Sequence, residues 1–405
     1  MSEKHATKNL KLTIAIFIGL VLGILMGFLM PGRMEWAVPV MDLVSGIYMN
    51  ALRMMIYPLV FCSLIVGIQG IGSVSATGRI GGQCILYYVC TTLLASLLGL
   101  FLPKALHLGQ GIQIEMAETS VEATRFTSLL DTVKGLIPSN PIASFAEGNM
   151  LQMLVFAIII GITCLSIGEK ASPFVKLAES INDISIKIVS VVMHFTPIGV
   201  FCSIASVIYA NGTQTIFELG KVLIALYITM FLFALIAYGG LVKFLGKCGI
   251  GHFFAAVLPA ALNAFGTCSS SATLPISKRC ADELEVPNEI SSLALPLGAT
   301  INMDAVSIVM SFMIVFFANA CGVEISFGML AVVMLSNALL SIGTPGVPGG
   351  AIASFAALAS IAGLPTGIMG VYISINTLCD MGATCENVLG DLACSVAMKE
   401  TAKLR

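Results

Sequence analysis

The sequence predicts an all-α protein that lies in a membrane, and three observations support this prediction. First, 57% of the 405 residues are apolar and only 10% are charged, whereas soluble domains carry about 25% charged residues. Second, apolar runs long enough to cross a hydrocarbon core of about 30 Å recur along the whole chain. Third, two of the later runs are interrupted by Ser, Thr, Gly and Pro. Such breaks at membrane depth are tolerated where they are buried in protein or line a wet cavity.

The first apolar run, residues 12–30, follows three lysines. It is long and no small-residue cleavage site follows it, so it predicts a first membrane helix with its basic flank in the cytosol rather than a signal peptide. The next runs are 37–70, 83–104, 141–168, 176–209 and 216–246. The polar stretch at 107–136 is predicted to be an external loop.

The remaining composition argues against several other classes. The net charge is −2 and no basic tract is present, so a nucleic-acid partner is not expected. None of the 12 cysteines forms a CxxC pair and the 4 histidines do not cluster with them. The cysteines are therefore interpreted as small apolar residues rather than as a metal site or a disulfide framework.

Two interrupted segments distinguish the C-terminal part, between about residues 252 and 401. The clusters at 268–273 and 343–350 each have apolar, helix-like sequence on both sides. Each is followed by an apolar segment with interior carboxylates, Asp304 in the first case and Asp380 with Asp391 in the second. Paired interrupted segments in corresponding positions indicate the central site of a transporter. Two ordinary loops rich in Ser and Gly are the alternative.

The last apolar segment carries a polar stripe. Asp380, Thr384, Asn387 and Asp391 recur at i, i+4, i+7 and i+11, which places them on one side of a helix, and Asn376 extends the stripe by one turn. A polar stripe on an apolar helix must face protein or a cavity. Carboxylate and amide oxygens suit a hard cation such as Na⁺. A structural hydrogen-bonding stripe is the alternative.

A second oxygen cluster favours the cation interpretation. Asp304 is the only ionisable residue between 290 and 320, and it follows Asn302 by two positions. A carboxylate at the bilayer centre costs about 2.5–3.5 kcal/mol on insertion scales, so a cation or a set of donors is expected beside it. Glu386 lies about 120° from the stripe. The sequence leaves open whether it faces other parts of the protein, water, or the substrate side chain.

These residues carry a resemblance to the dicarboxylate/amino acid:cation symporters, the glutamate transporter family. The resemblance covers nearly the whole chain and depends mainly on four C-terminal motifs. These are Ser269-Ser270-Ser271 with Leu274-Pro275, Gly298-Ala299-Thr300-Ile301-Asn302-Met303-Asp304, Ser341-Ile342-Gly343-Thr344 through Gly346-Val347-Pro348-Gly349, and Asp380-Met381-Gly382 through Asn387-Val388-Leu389-Gly390-Asp391.

The resemblance implies a fold and an assembly. The fold has eight transmembrane helices and two re-entrant helical hairpins, related as inverted repeats. The chain lies in the cell membrane as a homotrimer with both termini in the cytoplasm. Residues 1–82 and 107–209 would form a scaffold, and residues 83–106 and 210–401 a transport domain. That domain would cross the membrane as an elevator, with the second hairpin as its gate.

The resemblance also implies two or three coupling sodium ions. Their implied ligands, from backbone carbonyls and from side chains, are Tyr88, Thr91, Thr92, Gly298, Thr300, Asn302, Met303, Asp304, Ser341, Thr344, Asn387 and Asp391. The implied substrate positions are Ser270, Ser271, Val306, Val347, Gly349, Asp380, Ala383, Thr384 and Asn387. Among these, Asp380 would hold the α-ammonium group, and Ser270 with Asn387 would hold the α-carboxylate.

Two departures from the family pattern concern the substrate side chain. Ala383 stands where acidic-substrate members have an arginine, and Val306 where they have a threonine. A buried carboxylate that lacks its cationic partner costs about 3–5 kcal/mol, so an acidic substrate is disfavoured. Asn376 also replaces a frequent aspartate, which affects the surroundings of the third sodium site.

The sequence therefore predicts a transporter rather than an enzyme, which imports small neutral amino acids of the Ala/Ser/Thr/Cys type with sodium. One alternative is a proton- or sodium-coupled carrier of acidic amino acids, dicarboxylates or cystine. A gated ion channel is an alternative of another class.

Overall fold

The computed structural model describes residues 2–31, 34–75, 79–110, 137–147, 149–211 and 214–402. Within these ranges all the regular structure is helical, which confirms the predicted all-α class. The stretch predicted as an external loop, 107–136, lies outside the described residues from position 111 onward.

The first half of the chain forms helices that match the predicted apolar runs, three of which are split. They are α1 Ser2–Leu29, α2 Val38–Arg53, α3 Ile56–Ser75, α4 Arg79–Ala105, α5 Pro141–Ala146, α6 Met150–Ile167, α7 Ser172–Met193 and α8 Thr196–Asn211. Run 37–70 is broken between α2 and α3, run 141–168 between α5 and α6, and run 176–209 between α7 and α8. Pro58 and Pro197 stand in the first turns of α3 and α8. Proline is tolerated there but clashes with a preceding helical turn, which accounts for the breaks before α3 and α8.

The second half contains the remaining described helices. They are α9 Gln214–Phe233, which continues through the π turns Ala234–Tyr238 and Leu241–Leu245, then α10 Ile250–Thr267, α11 Ser270–Glu283, α12 Asn288–Ile301, α13 Asp304–Ala320, α14 Phe327–Ile342, α15 Ala351–Ile361 and α16 Ile368–Thr401. The breaks between α10 and α11 and between α14 and α15 fall at the two predicted clusters. The break between α12 and α13 was not predicted.

Several helical segments confirm the predicted membrane character. Among the described residues, five are long and apolar enough to cross a membrane: Gly81–Ala105, Gln152–Met193, Phe217–Leu245, Ile250–Thr267 and Asn288–Ala320. In the last segment, which holds α12 and α13, an apolar stretch of 18 residues is completely buried within the protein, whereas less than half of the corresponding stretch is buried in each of the others. The α12–α13 segment is therefore the centre of the molecule.

The helices around this centre bring the interrupted segments together. α13 packs on α4 and on α16, and α10, α11 and α12 all pack on α16. α14 packs on α4 and α13, while α15 packs on α3 and α13. Away from this group, α1 packs on α8, and α3 packs on α6 and α7. The polar stripe of α16 consequently faces the breaks in the neighbouring helices.

Candidate functional site

The break between α10 and α11 is a tight reversal. Cys268 adopts a left-handed backbone conformation with φ of 49°. Ser269 then caps α11, since its hydroxyl oxygen accepts a hydrogen bond from the backbone N–H of Ala272 at 3.2 Å. Because two residues suffice for the turn, Ser270 enters the first turn of α11 in a buried position.

The break between α12 and α13 is closed by a side chain from another helix. The N–H of Asn302 donates to the Gly298 carbonyl at 2.9 Å and ends α12. The Oδ1 atom of Asn387, on α16, accepts a hydrogen bond from the N–H of Ala305 at 2.9 Å and so caps α13. Interrupted helices of this kind direct free backbone groups into the protein interior, where they bind ions and substrate groups in transporters.

The loop between α14 and α15 covers the stripe of α16. The N–H of Gly349, whose φ is 75°, donates to Oδ2 of Asp380 at 2.9 Å. The hydroxyl of Ser269 donates to the Gly346 carbonyl at 3.1 Å. The turn before α11 and the loop between α14 and α15 thus contact each other, and the same loop contacts the carboxylate of Asp380.

Asp304 lies at the start of α13 and is fully buried. Its Oδ1 atom accepts a hydrogen bond from the Thr92 hydroxyl on α4 at 2.6 Å. Its Oδ2 atom accepts one from the Tyr238 hydroxyl at 2.9 Å. The hydroxyls of Thr91 and Tyr88, both predicted cation ligands on α4, donate to backbone carbonyls at 3.0 and 2.8 Å respectively.

Asp391 lies close to this group. Its Oδ1 atom accepts a hydrogen bond from Nδ2 of Asn302 at 2.9 Å. Gly298 packs so closely that an added Cβ would overlap the Asp391 carboxylate and lie 2.8 Å from the Tyr88 hydroxyl. The structure therefore brings Tyr88, Gly298, Asn302 and Asp391 into one cluster, next to Asp304.

Among the described residues, no buried cationic side chain compensates these charges. Within the described part of the chain, the buried residues include Asp304, Asp380, Glu386 and Asp391 but no Lys or Arg, and the ion pairs lie on partly or fully exposed side chains. The Oδ1 atom of Asn302 is also buried with no hydrogen-bond partner. An oxygen-lined, negatively charged interior of this kind fits a hard cation.

A small cavity lies beneath the α14–α15 loop. Six of the predicted substrate positions line it, namely Ser270, Val306, Val347, Asp380, Thr384 and Asn387, as do Met303 and Thr344 from the predicted cation set. Asp380 is the only charged residue among the lining residues that are described. The enclosed volume is about 10 Å³, room for roughly one water molecule. A larger solute can enter only if the loop moves.

The other predicted site residues do not line the cavity. Ser271 is exposed, and Ala383 is buried on α16 without lining the cavity. Gly349 meets Asp380 through its backbone N–H. The Thr300 side chain is exposed and bonds to the Leu297 carbonyl at 2.8 Å. Ser341 is buried on α14, next to the loop.

The structure shows the surroundings of the Glu386 side chain, which the sequence left open. It is only 3% exposed, and neither carboxylate oxygen has a hydrogen-bond partner. It does not line the cavity. Gly382 and Gly390, one turn away on either side, lie against α9 and its π turn, and residues four apart share a helix face. Glu386 therefore faces α9 rather than water or the cavity.

The comparison with protein families decides the class of the protein. The profile of the Sodium:dicarboxylate symporter family matches residues 12–401. The chain belongs to this family. As a member of the Sodium:dicarboxylate symporter family it is a multi-pass membrane transporter and not an enzyme, as predicted, and the family implies the glutamate-transporter fold.

Several named relatives align with most of this symporter. It is 28% identical over 359 residues, 87% of its chain and 81% of the relative, to the C4-dicarboxylate transport protein of Laribacter hongkongensis. It is 26% identical over 401 residues, 97% of its chain and 95% of the relative, to the proton/sodium-glutamate symport protein of Geobacillus stearothermophilus. Identity to the proton/glutamate-aspartate symporter of Escherichia coli K12 is 27% over 369 residues, 88% of its chain and 84% of the relative. These names favour the predicted alternative, an acidic substrate, over a neutral one.

Proposed function

We propose that this symporter carries a small neutral amino acid into the cell together with sodium ions. The observation that carries the proposal is the charge of the cavity, where Asp380 is the only charged residue among the described lining. One carboxylate matches the single ammonium group of an amino acid. The distal carboxylate of aspartate or glutamate would be buried without a cationic partner, a loss of about 3–5 kcal/mol.

The cavity also offers groups for the α-carboxylate. Ser270 lies in the first turn of α11, where free backbone N–H groups favour an anion. The Oδ1 atom of Asn387 accepts a hydrogen bond from the Ala305 N–H, but within the described part of the chain its Nδ2 atom donates only to the Met303 sulfur, at 3.3 Å. Sulfur is a weak acceptor, so this amide is available to donate to a carboxylate. Val306 then faces the substrate side chain with an apolar surface.

The sodium ions bind, in this proposal, at the two carboxylate clusters and beside the loop. Asp304 with Asn302 and the α4 hydroxyls forms one site, and Asp391 with Gly298 and Asn387 forms another. A third uses backbone oxygens near Thr300 and from Ser341 to Thr344. The hydrogen bonds and close contacts among Asn302, Gly298 and Asp391 support this assignment.

The proposed transport cycle follows from the helix breaks. The chain has eight transmembrane helices and two re-entrant hairpins, α10–α11 and α14–α15, related as inverted repeats. It assembles as a homotrimer in the cell membrane, with both termini in the cytoplasm. Residues 83–106 and 210–401 move as an elevator against a scaffold formed by 1–82 and 107–209. The loop at 343–350 acts as the gate, because the cavity beneath it is too small for an amino acid.

Sodium supplies the driving force for accumulation. Each ion that moves down a tenfold gradient contributes about 1.4 kcal/mol, and about 2.3 kcal/mol more per 100 mV of membrane potential. Two or three ions therefore suffice to concentrate a neutral substrate strongly. Coupling requires that the transport domain rarely crosses the membrane when it holds sodium but no amino acid. A ligand shifts an equilibrium between two states only if it binds them with different affinities.

The experiment is a thermal-shift screen of the purified full-length protein, in sodium chloride and in choline chloride at the same pH. We expect stabilisation by alanine, serine, threonine or cysteine in sodium only, and little effect of aspartate, glutamate or succinate. Stabilisation by an acidic solute would instead establish the substrate class that the relatives' names favour. Uptake into proteoliposomes that is independent of sodium and driven by a pH gradient would refute the sodium coupling. Saturable accumulation against a gradient would exclude a channel.

A further inference from the structure

Tyr238 is a buried aromatic residue that no part of the proposed site includes. It is completely buried and ends the π turn Ala234–Tyr238 that follows α9. Its ring packs edge-on against Phe233, with the ring centroids 5.3 Å apart and an interplanar angle of 84°. π turns are rare and occur frequently at functional sites.

The hydroxyl of Tyr238 holds one oxygen of the Asp304 carboxylate. It donates to Oδ2 at 2.9 Å, while Thr92 donates to Oδ1 at 2.6 Å. The two donors come from different elements, the π turn after α9 and helix α4. Each oxygen of the carboxylate is thus held separately, so the plane of the group is fixed. Hydrogen bonds to an ionised carboxylate are roughly twice as strong as neutral ones.

A glycine on α16 makes room for this contact. A Cβ at Gly390 would lie 2.6 Å from the Tyr238 hydroxyl and 3.0 Å from Nδ2 of Asn302. Two turns earlier, a Cβ at Gly382 would lie 2.7 Å from the Met230 side chain and 3.1 Å from that of Tyr227. Both glycines lie on the face of α16 that meets α9. Small residues on one face let two membrane helices approach closely, which here brings the Tyr238 hydroxyl to Asp304.

We propose that Tyr238 is a positioning residue for the sodium site at Asp304, an inference that rests on the proposed function. Tyr238 holds Oδ2, so that Oδ1 and the Thr92 hydroxyl are directed together at the ion. Without the hydroxyl, Oδ2 loses the hydrogen bond from Tyr238 and the orientation of the carboxylate is held less firmly. Its orientation must then be restored whenever sodium binds, which weakens binding.

The test is the variant Tyr238→Phe, which removes only the hydroxyl. We expect the sodium concentration that gives half of the thermal stabilisation, measured without amino acid, to rise about tenfold. The full stabilisation should be regained at saturating sodium. Gly390→Ala is the second variant and should shift the sodium curve in the same direction, because its Cβ displaces the hydroxyl.

Tyr372→Phe is the matched control. Tyr372 is also fully buried, but its hydroxyl has no hydrogen-bond partner among the described residues, so the control should keep the wild-type sodium curve. The proposal is overturned if Tyr238→Phe lowers the melting temperature equally in sodium and in choline with an unchanged half-saturating concentration. If Tyr238→Phe does not fold, a wild-type sodium curve for Gly390→Ala overturns it. If sodium does not stabilise even the wild-type protein, the proposed function fails as well.

Discussion

Replacing Gly298 by alanine tests how closely α12 must approach the Asp391 carboxylate. In most helices this change stabilises the protein by about 0.5–1 kcal/mol, because alanine loses less backbone entropy. At position 298, however, the new Cβ would overlap the Asp391 carboxylate and lie 2.8 Å from the Tyr88 hydroxyl. The carboxylate must turn away, and its hydrogen bond from Asn302 is lost.

The magnitude follows from these two opposing effects. A hydrogen bond to a charged group contributes about 1.5–3 kcal/mol, which exceeds the gain from alanine. We therefore expect Gly298→Ala to destabilise the protein by about 1–2 kcal/mol. Because Asp391 is also a proposed sodium ligand, the half-saturating sodium concentration should rise about tenfold or more, since each factor of ten corresponds to 1.4 kcal/mol.

The assay is thermal unfolding in increasing sodium chloride, with choline chloride keeping the ionic strength constant. Gly220→Ala is the matched control, since Gly220 lies in α9 and an added Cβ would meet nothing within 4 Å. It should be neutral or slightly stabilising, with the wild-type sodium response. A Gly298→Ala protein whose sodium response equals that of the control would refute the reasoning.

Three further predictions concern the substrate cavity and the α14 helix. Asp380→Asn should abolish stabilisation by amino acids but retain that by sodium, since an amide does not neutralise an ammonium group; retained serine binding would contradict this. Ala383→Arg combined with Val306→Thr should shift preference toward aspartate in competition uptake, and no gain in aspartate affinity would show that the pocket is misassigned. Asn337→Leu removes an amide that contacts three oxygens of α4 and α13 at 2.6–3.0 Å; unfolding should require about 2 kcal/mol less, with an unchanged sodium curve.

The relatives and the cavity point to different substrates. The relatives' names specify dicarboxylates, glutamate and aspartate, whereas the cavity has one carboxylate and no cation among its described lining residues. Membership of the family indicates the fold and the coupling to a cation, because many side chains contribute to both. Substrate choice depends on a few groups near the substrate, where one missing charge outweighs overall similarity.

Local chemistry allowed much of the architecture to be predicted from the sequence. The low charge content and the long apolar runs predict membrane helices because burial in lipid depends on composition. The clusters at 268–273 and 343–350 predict the helix breaks, since Ser, Gly and Pro are poor helix formers. The periodicity of Asp380, Thr384, Asn387 and Asp391 predicts a polar stripe, and the structure shows all four side chains buried.

Other features were decided only by the tertiary structure. The break at Asn302–Met303 depends on Asn387, which caps α13 from another helix. Tyr238 looks in sequence like any aromatic residue of an apolar run, and its contact with Asp304 exists because Gly390 admits it. A sequence pattern reports which side of its own helix a residue occupies. What lies opposite that side depends on how distant segments pack, and a buried polar atom takes its role from that partner.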